Sequence, residues 1–166
     1  NDTDLDVLVS CKSCKGSVLL HNNGQGLFAD ASASLPQFGN NYEFEPMDLN
    51  GDGFVDLVTI NDGPGLREHV FLADGSGGYL DVTDTLWPNN ANVGKDDNVA
   101  VFLDYDSDGD ADFLIGSLNG KDRLLINDGQ GNLTLNDAVF SGANTPGTLG
   151  MAVADFDGDG KWDVVQ

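Results

Sequence analysis

Basic residues are scarce in this chain. Seven Lys and Arg stand against 28 Asp and Glu, a formal net charge of −21 over 166 residues. A surface of that sign repels nucleic acid and anionic membrane, both of which demand clustered Lys and Arg. Long apolar runs are missing too. No stretch reaches 18 residues, so no membrane-spanning helix is expected. No segment carries the 3.6-residue apolar period of a long helix. The first residues are polar and acidic, so a signal peptide is expected to have been removed or to lie upstream. There are two histidines, His21 and His69, and neither has a Cys or acid cluster at zinc spacing. No GxSxG, HExxH or P-loop occurs.

The two cysteines form Cys11-Lys-Ser-Cys14. No βαβ pattern surrounds them, which argues against a thioredoxin-like motif. A local disulfide bracing a loop is the expected state, and a reduced inert pair is second. The following Lys15 leaves a CxxCK haem attachment as a further alternative. A disulfide would place the chain outside the cell or in a periplasm.

What is present is glycine, 22 residues of it, and three acidic stretches built on one template. They are Asp48-Leu-Asn50-Gly-Asp52-Gly53-Phe54-Val-Asp56, Asp104-Tyr-Asp106-Ser-Asp108-Gly109-Asp110-Ala-Asp112 and Asp155-Phe-Asp157-Gly-Asp159-Gly160-Lys161-Trp-Asp163. Positions 1, 3 and 5 are acid or amide, position 6 is Gly and position 9 is Asp. Oxygen donors two residues apart in a tight loop converge on one point, and Ca²⁺ takes 6–8 such hard ligands. The glycine supplies the positive φ that turns the chain around the ion. An EF-hand would need a bidentate Glu at position 12, between helices. Position 12 is Thr59, Ile115 or Gln166, and the residues after position 9 favour strands. The closing carboxylate is therefore expected at position 9. The alternative is a set of acidic turns holding no metal. Three in register count against it, because uncompensated carboxylates at this density repel one another. The loops hold 12 of the acids, so the negative charge is concentrated at these turns.

The loops start 56 and 51 residues apart, at 48, 104 and 155. Between them recurs a second motif: Asn22-Asn23-Gly24-Gln25-Gly26, Ala73-Asp74-Gly75-Ser76-Gly77 and Asn127-Asp128-Gly129-Gln130-Gly131. Asn-Gly or Asp-Gly between apolar runs is the strongest short-range hairpin signal. The N-terminus falls into the same frame, with Asp2 at loop position 5 and Asp6 at position 9. The chain is expected to be an excerpt of a longer polypeptide. One repeat then drafts as four strands: one before the loop, one after it, one into the hairpin and one out. The strand after the loop is continuously apolar, as in strands buried on both faces. The strand before it carries small residues (Ala100, Ala152, Ala154), which suits a crowded innermost place.

Four short strands every ~50 residues is the pattern of a β-propeller blade. The loops and hairpins together resemble the FG-GAP/VCBS repeat family, whose members include the calcium-binding blades of integrin α subunits. The resemblance covers nearly the whole chain. It implies an all-β fold of four-stranded antiparallel blades, about three of them, within a larger propeller for which seven blades are expected. The units are residues 1–42 (last three strands of a blade), 43–98, 99–149 and 150–166 (first two strands of another). It implies three complete Ca²⁺ sites and one partial. Their ligands would be Asp48, Asn50, Asp52 and Asp56; Asp104, Asp106, Asp108 and Asp112; and Asp155, Asp157, Asp159 and Asp163. Carbonyls of Phe54, Asp110 and Lys161 would complete them, and Asp2 and Asp6 would belong to the partial loop.

The functional expectation is an extracellular or periplasmic binding or adhesion scaffold without catalysis, its protein or glycan ligand unidentified. Flanking blades or neighbouring chains are expected to cover the two end blades. Two alternatives stand beside it. One is part of a polysaccharide-degrading enzyme, where Trp87 and Trp162 could stack on sugar, although Trp162 is expected at a blade junction. The other is a subunit of an extracellular assembly.

Overall fold

The computed structural model describes residues 4–14, 16–61, 66–87, 95–136, 138–140, 145 and 147–166. Val, Leu, Ile and Phe runs bounded by Gly-rich turns fold into thirteen strands among these residues, as their β-propensity dictates. β1 (Val7–Val9), β2 (Val18–Asn22) and β3 (Phe28–Asp30) form one sheet. β4 (Asn41–Met47), β5 (Asp56–Asn61), β6 (Val70–Ala73) and β7 (Tyr79–Asp81) form the second. β8 (Asp97–Leu103), β9 (Asp112–Ser117), β10 (Arg123–Asn127) and β11 (Leu133–Leu135) form the third. β12 (Ala152–Ala154) and β13 (Asp163–Val165) make a two-stranded fourth. Every sheet is an antiparallel meander in sequence order, and the fold is all-β with propeller-type blades. No described helix is long and apolar enough to cross a membrane.

The acidic loops join the first two strands of a sheet. Register fixes where each closes: Met47 pairs with Asp56, Leu103 with Asp112 and Ala154 with Asp163. β4 and β8 carry a bulge at the same repeat position, between Asn41 and Glu43 and between Asp97 and Val99. β8 packs against both β4 and β12. Of the small residues expected at a crowded place, Ala100 is buried, whereas Ala152 is exposed and Ala154 half-buried.

The main core lies between the second and third sheets. Val58, Ile60 and Val70 meet Ala100, Phe113, Leu125 and Leu133 there. Trp87, wholly buried, stands edge-on to Phe113 with ring centroids 6.0 Å apart. That burial excludes Trp87 from stacking on a sugar. All six residues of β5 and all six of β9 are buried. β1 and β13 are not: Val9 is 47% exposed and Val165 53%. The expected two-sided burial therefore holds only where a sheet lies on each face. Trp162 likewise departs from its expected place at a junction, being 58% exposed.

The connection after β7 is held by Asp81, whose Oδ1 accepts the Thr83 amide at 3.1 Å and its hydroxyl at 2.5 Å. Thr83 Oγ1 in turn accepts the Val70 amide at 2.9 Å. One repeat earlier Asp30 and Ser32 do the same for Leu19. Thr83 thus starts a single helical turn, α1 (Thr83–Leu86), which carries Leu86 and Trp87 into the core.

A buried charged group bridges the same two sheets. Arg123 Nη2 lies 2.5 Å from Asp97 Oδ2 and 3.8 Å from Glu68 Oε2. Burial, followed by the Asp97 charge and its hydrogen bond, pushes Glu68 up to about 9. Glu68 therefore carries a proton at neutral pH. Its folded pKa lies above the unfolded value. The stability it supports is fully present below about pH 4.5 and is lost as pH rises through the folded pKa. Glu68→Gln, which mimics the neutral acid, is expected to stabilise the protein by several kcal/mol at pH 8. The gain should vanish by about pH 4. Urea unfolding of both proteins across that range measures it, and a gain independent of pH counts against a protonated Glu68.

Candidate metal centre

Each acidic loop curls because its own carboxylates accept its own amides. In the first, Asp48 Oδ1 and Asn50 Oδ1 both accept the Asp52 amide at 3.1 Å, and Asp48 Oδ2 accepts that of Gly53 at 2.9 Å. In the third, Asp155 Oδ1 and Asp157 Oδ1 share the Asp159 amide at 3.1 Å, and Asp155 Oδ2 takes that of Gly160 at 2.9 Å. In the second, Asp104 Oδ1 accepts the Asp108 amide at 3.1 Å. Position 5 closes the curl, with Asp52, Asp108 and Asp159 accepting the amide two residues on. The position-6 glycines take the expected positive φ, +88°, +95° and +86° for Gly53, Gly109 and Gly160. Position 4 is left-handed as well, which the template did not reveal. It is Gly51 and Gly158 in two loops but Ser107 in the other, with φ of 65°.

This curl brings positions 1, 3 and 5 together. One ligand oxygen from each of Asp104, Asp106 and Asp108 lies within 4.8 Å of the other two, and the same holds for Asp155, Asp157 and Asp159. Oxygens ~2.4 Å from one common ion can be at most ~4.8 Å apart, so the spacing and the all-oxygen chemistry fit a hard cation. Asp110, at position 7, is pushed up to about 6 by desolvation and then by the charges of Asp108 and Asp112.

Position 9 sits differently. Asp56 and Asp112 are wholly buried, and both oxygens of each accept backbone amides. Asp56 takes Leu49 at 3.0 Å and Ala73 at 2.8 Å; Asp112 takes Tyr105 at 2.7 Å and Asn127 at 2.9 Å. Asp163 accepts the Phe156 amide at 2.9 Å, and Asp6 that of Asn22 at 2.8 Å. The position-9 carboxylate thus ties the loop to the end of the strand entering the hairpin. Burial raises the pKa of Asp56 and Asp112, and these amides oppose the rise. Asp2 lies outside the described residues.

The hairpins are closed by the same chemistry. Asn23, Asp74 and Asp128 each accept two amides through Oδ1, two and four residues on. Asn127 reaches further: its Nδ2 donates to the Leu49 carbonyl at 2.9 Å, linking the third sheet's hairpin to the second sheet's loop.

The FG-GAP-like repeat family matches the chain three times, over residues 1–59, 48–115 and 104–165. The chain belongs to that family. No curated protein matches it. Successive matches of the FG-GAP-like repeats overlap over residues 48–59 and 104–115, so each overlap contains a complete acidic loop and the start of the strand after it. Elsewhere the FG-GAP-like chain holds structural groups. Cys11 and Cys14 are bonded, with Cα atoms 5.7 Å apart. His69 stacks on Phe38 with centroids 3.7 Å apart, its Nδ1 3.4 Å from Asp81 Oδ2, and burial lowers its pKa. His21 is half-buried between the first two sheets.

Proposed function

We propose that this chain is a calcium-stabilised, non-catalytic binding scaffold that works outside the cytosol, as part of a larger propeller. The observation that carries this reading is the convergence of oxygens from positions 1, 3 and 5. Asp48, Asn50 and Asp52, Asp104, Asp106 and Asp108, and Asp155, Asp157 and Asp159 would each grip one Ca²⁺. The carbonyls of Phe54, Asp110 and Lys161 and the position-9 carboxylates would supplement them. The ion supplies charge compensation and pins the turn between two strands. Sites of this kind in extracellular modules bind at roughly 10⁻⁴–10⁻³ M, so they fill outside cells and empty in the cytosol. The bonded Cys11–Cys14 pair agrees with an oxidising compartment. Recognition of a protein or glycan then falls to the connections between sheets, which the repeat does not constrain.

Calorimetric titration of chelator-stripped protein with Ca²⁺ is expected to show three ions bound per chain. Asp106→Ala should reduce the count to two. Its exposed side chain shows no hydrogen bond to its loop's backbone among the described residues, so the melting temperature in EDTA should not fall. Absence of binding, or an unchanged count in the variant, contradicts the proposal.

A further inference from the structure

Leu49 stands between two candidate ligands, Asp48 and Asn50, and is itself clamped. Its side chain is buried in the core between the second and third sheets, against Gly131 of the third sheet's hairpin. Its amide donates to Asp56 Oδ2 at 3.0 Å, and its carbonyl accepts Asn127 Nδ2 at 2.9 Å. Asn127 also holds the loop of its own sheet. Its amide donates to Asp112 Oδ1 at 2.9 Å, and its Nδ2 lies 3.3 Å from the Ala111 carbonyl. Asp112 Oδ2 in turn accepts the amide of Tyr105 at 2.7 Å, and Tyr105 stands between Asp104 and Asp106. A chain of hydrogen bonds thus runs from the residue between positions 1 and 3 of one loop to the residue between positions 1 and 3 of the next. Leu49, Asn127 and Asp112 are 1%, 2% and 0% exposed, so water does not compete for these links. Among the described residues, no hydrogen bond joins the second loop to the third in this way.

We propose that Asn127 couples the two ion sites it joins, at residues 48–56 and 104–112, so that they fill cooperatively while the site at residues 155–163 fills on its own. The inference rests on the calcium reading of the loops. When Asp104, Asp106 and Asp108 close on an ion, Tyr105 between them loses freedom. Asp112 and Asn127 pass that restraint to Leu49. The loop at residues 48–56 is then already ordered when Asp48, Asn50 and Asp52 close in their turn, so less conformational entropy is lost there. The coupling is reciprocal, as any linkage between two binding free energies must be. Asn127 acts through the backbone of one loop and through Asp112 of the other, so it is a positioning residue. Its loss is structurally tolerable. Ala73 holds the same repeat position in the second sheet, where the hairpin closes and the Ala73 amide still reaches Asp56 Oδ1 at 2.8 Å.

The test uses the full chain and follows the amide signals of Gly53, Gly109 and Gly160, one in each loop, by NMR during a Ca²⁺ titration. Asp106→Ala, which disables the second site, is expected to weaken Ca²⁺ binding at Gly53 by about threefold or more. Asp157→Ala, which disables the third, should leave the Gly53 midpoint unchanged. In an Asn127→Ala background, Asp106→Ala should no longer move the Gly53 midpoint. A merely structural role for Asn127 would lower stability and leave the effect of Asp106→Ala in place. Should Asn127→Ala fail to fold, the comparison of Asp106→Ala with Asp157→Ala decides alone. Equal effects of those two variants at Gly53, or coupling that survives Asn127→Ala, overturn the proposal and leave the calcium reading standing. No Ca²⁺-dependent shift at any of these glycines removes the calcium reading, and the coupling with it.

Discussion

Asp112→Ala is expected to lose about 3–5 kcal/mol of stability in EDTA, and more in Ca²⁺, where a supplementary ion ligand is lost as well. The carboxylate is wholly buried and accepts the amides of Tyr105 and Asn127. A hydrogen bond to a charged group contributes about 1.5–3 kcal/mol, and alanine leaves two amides with no replacement acceptor. Asp112→Asn should fall between the two. One amide oxygen remains to accept, while the new NH₂ faces a second N–H donor. Asp163→Ala, at the half-exposed counterpart with a single described amide, should lose much less, because water can reach the freed group. Urea unfolding of the three variants, each with and without chelator, separates the roles of this position. A loss by Asp112→Ala seen only in Ca²⁺ would make Asp112 solely an ion ligand and remove its role as a tie between loop and hairpin.

That tie shows where a sequence stops speaking. The nine-residue spacing marked Asp56, Asp112 and Asp163 as important, because spacing along a loop is a local property. Their partners at the ends of β6 and β10 are not local: the Ala73 amide lies 17 residues from Asp56. The strands were legible for the same reason as the loops, since short apolar runs between Gly-rich turns encode them without reference to the rest of the chain. Burial was legible only in part. Leu57–Ile60 and Val7–Val9 look alike as sequence, yet only the first lies between two sheets. Trp87 and Trp162 show the same limit, one sealed in a core and the other exposed. Glu68 is the extreme case, because its partners Asp97 and Arg123 are on the next sheet and nothing adjacent to it signals burial. Two signals were present and went unread. Asp-x-Ser/Thr recurs after β3 and β7, and position 4 of each loop is Gly or Ser.

Stripping Ca²⁺ from the FG-GAP-like chain is expected to lower its melting temperature by about 10 °C, and restoring the ion should recover it. A ligand that binds only the folded state stabilises by RT ln(1 + [L]/Kd). With sites near 10⁻⁴ M and Ca²⁺ about tenfold above that, each contributes about 1.4 kcal/mol and three contribute about 4. For a chain of this size 1 kcal/mol corresponds to about 2–4 °C. Two further measurements separate specific binding from simple relief of repulsion among the loop carboxylates. Raising NaCl in EDTA shortens the Debye length and should recover a minor part of the loss. Mg²⁺, which demands near-octahedral geometry at shorter distances and gives up water reluctantly, should recover less than Ca²⁺ at equal concentration. Full recovery by NaCl alone reduces the loops to acidic turns that need only screening. Indifference of the melting temperature to chelator removes the metal from the account, and leaves the position-9 carboxylates and the apolar faces of β5 and β9 to hold the sheets together.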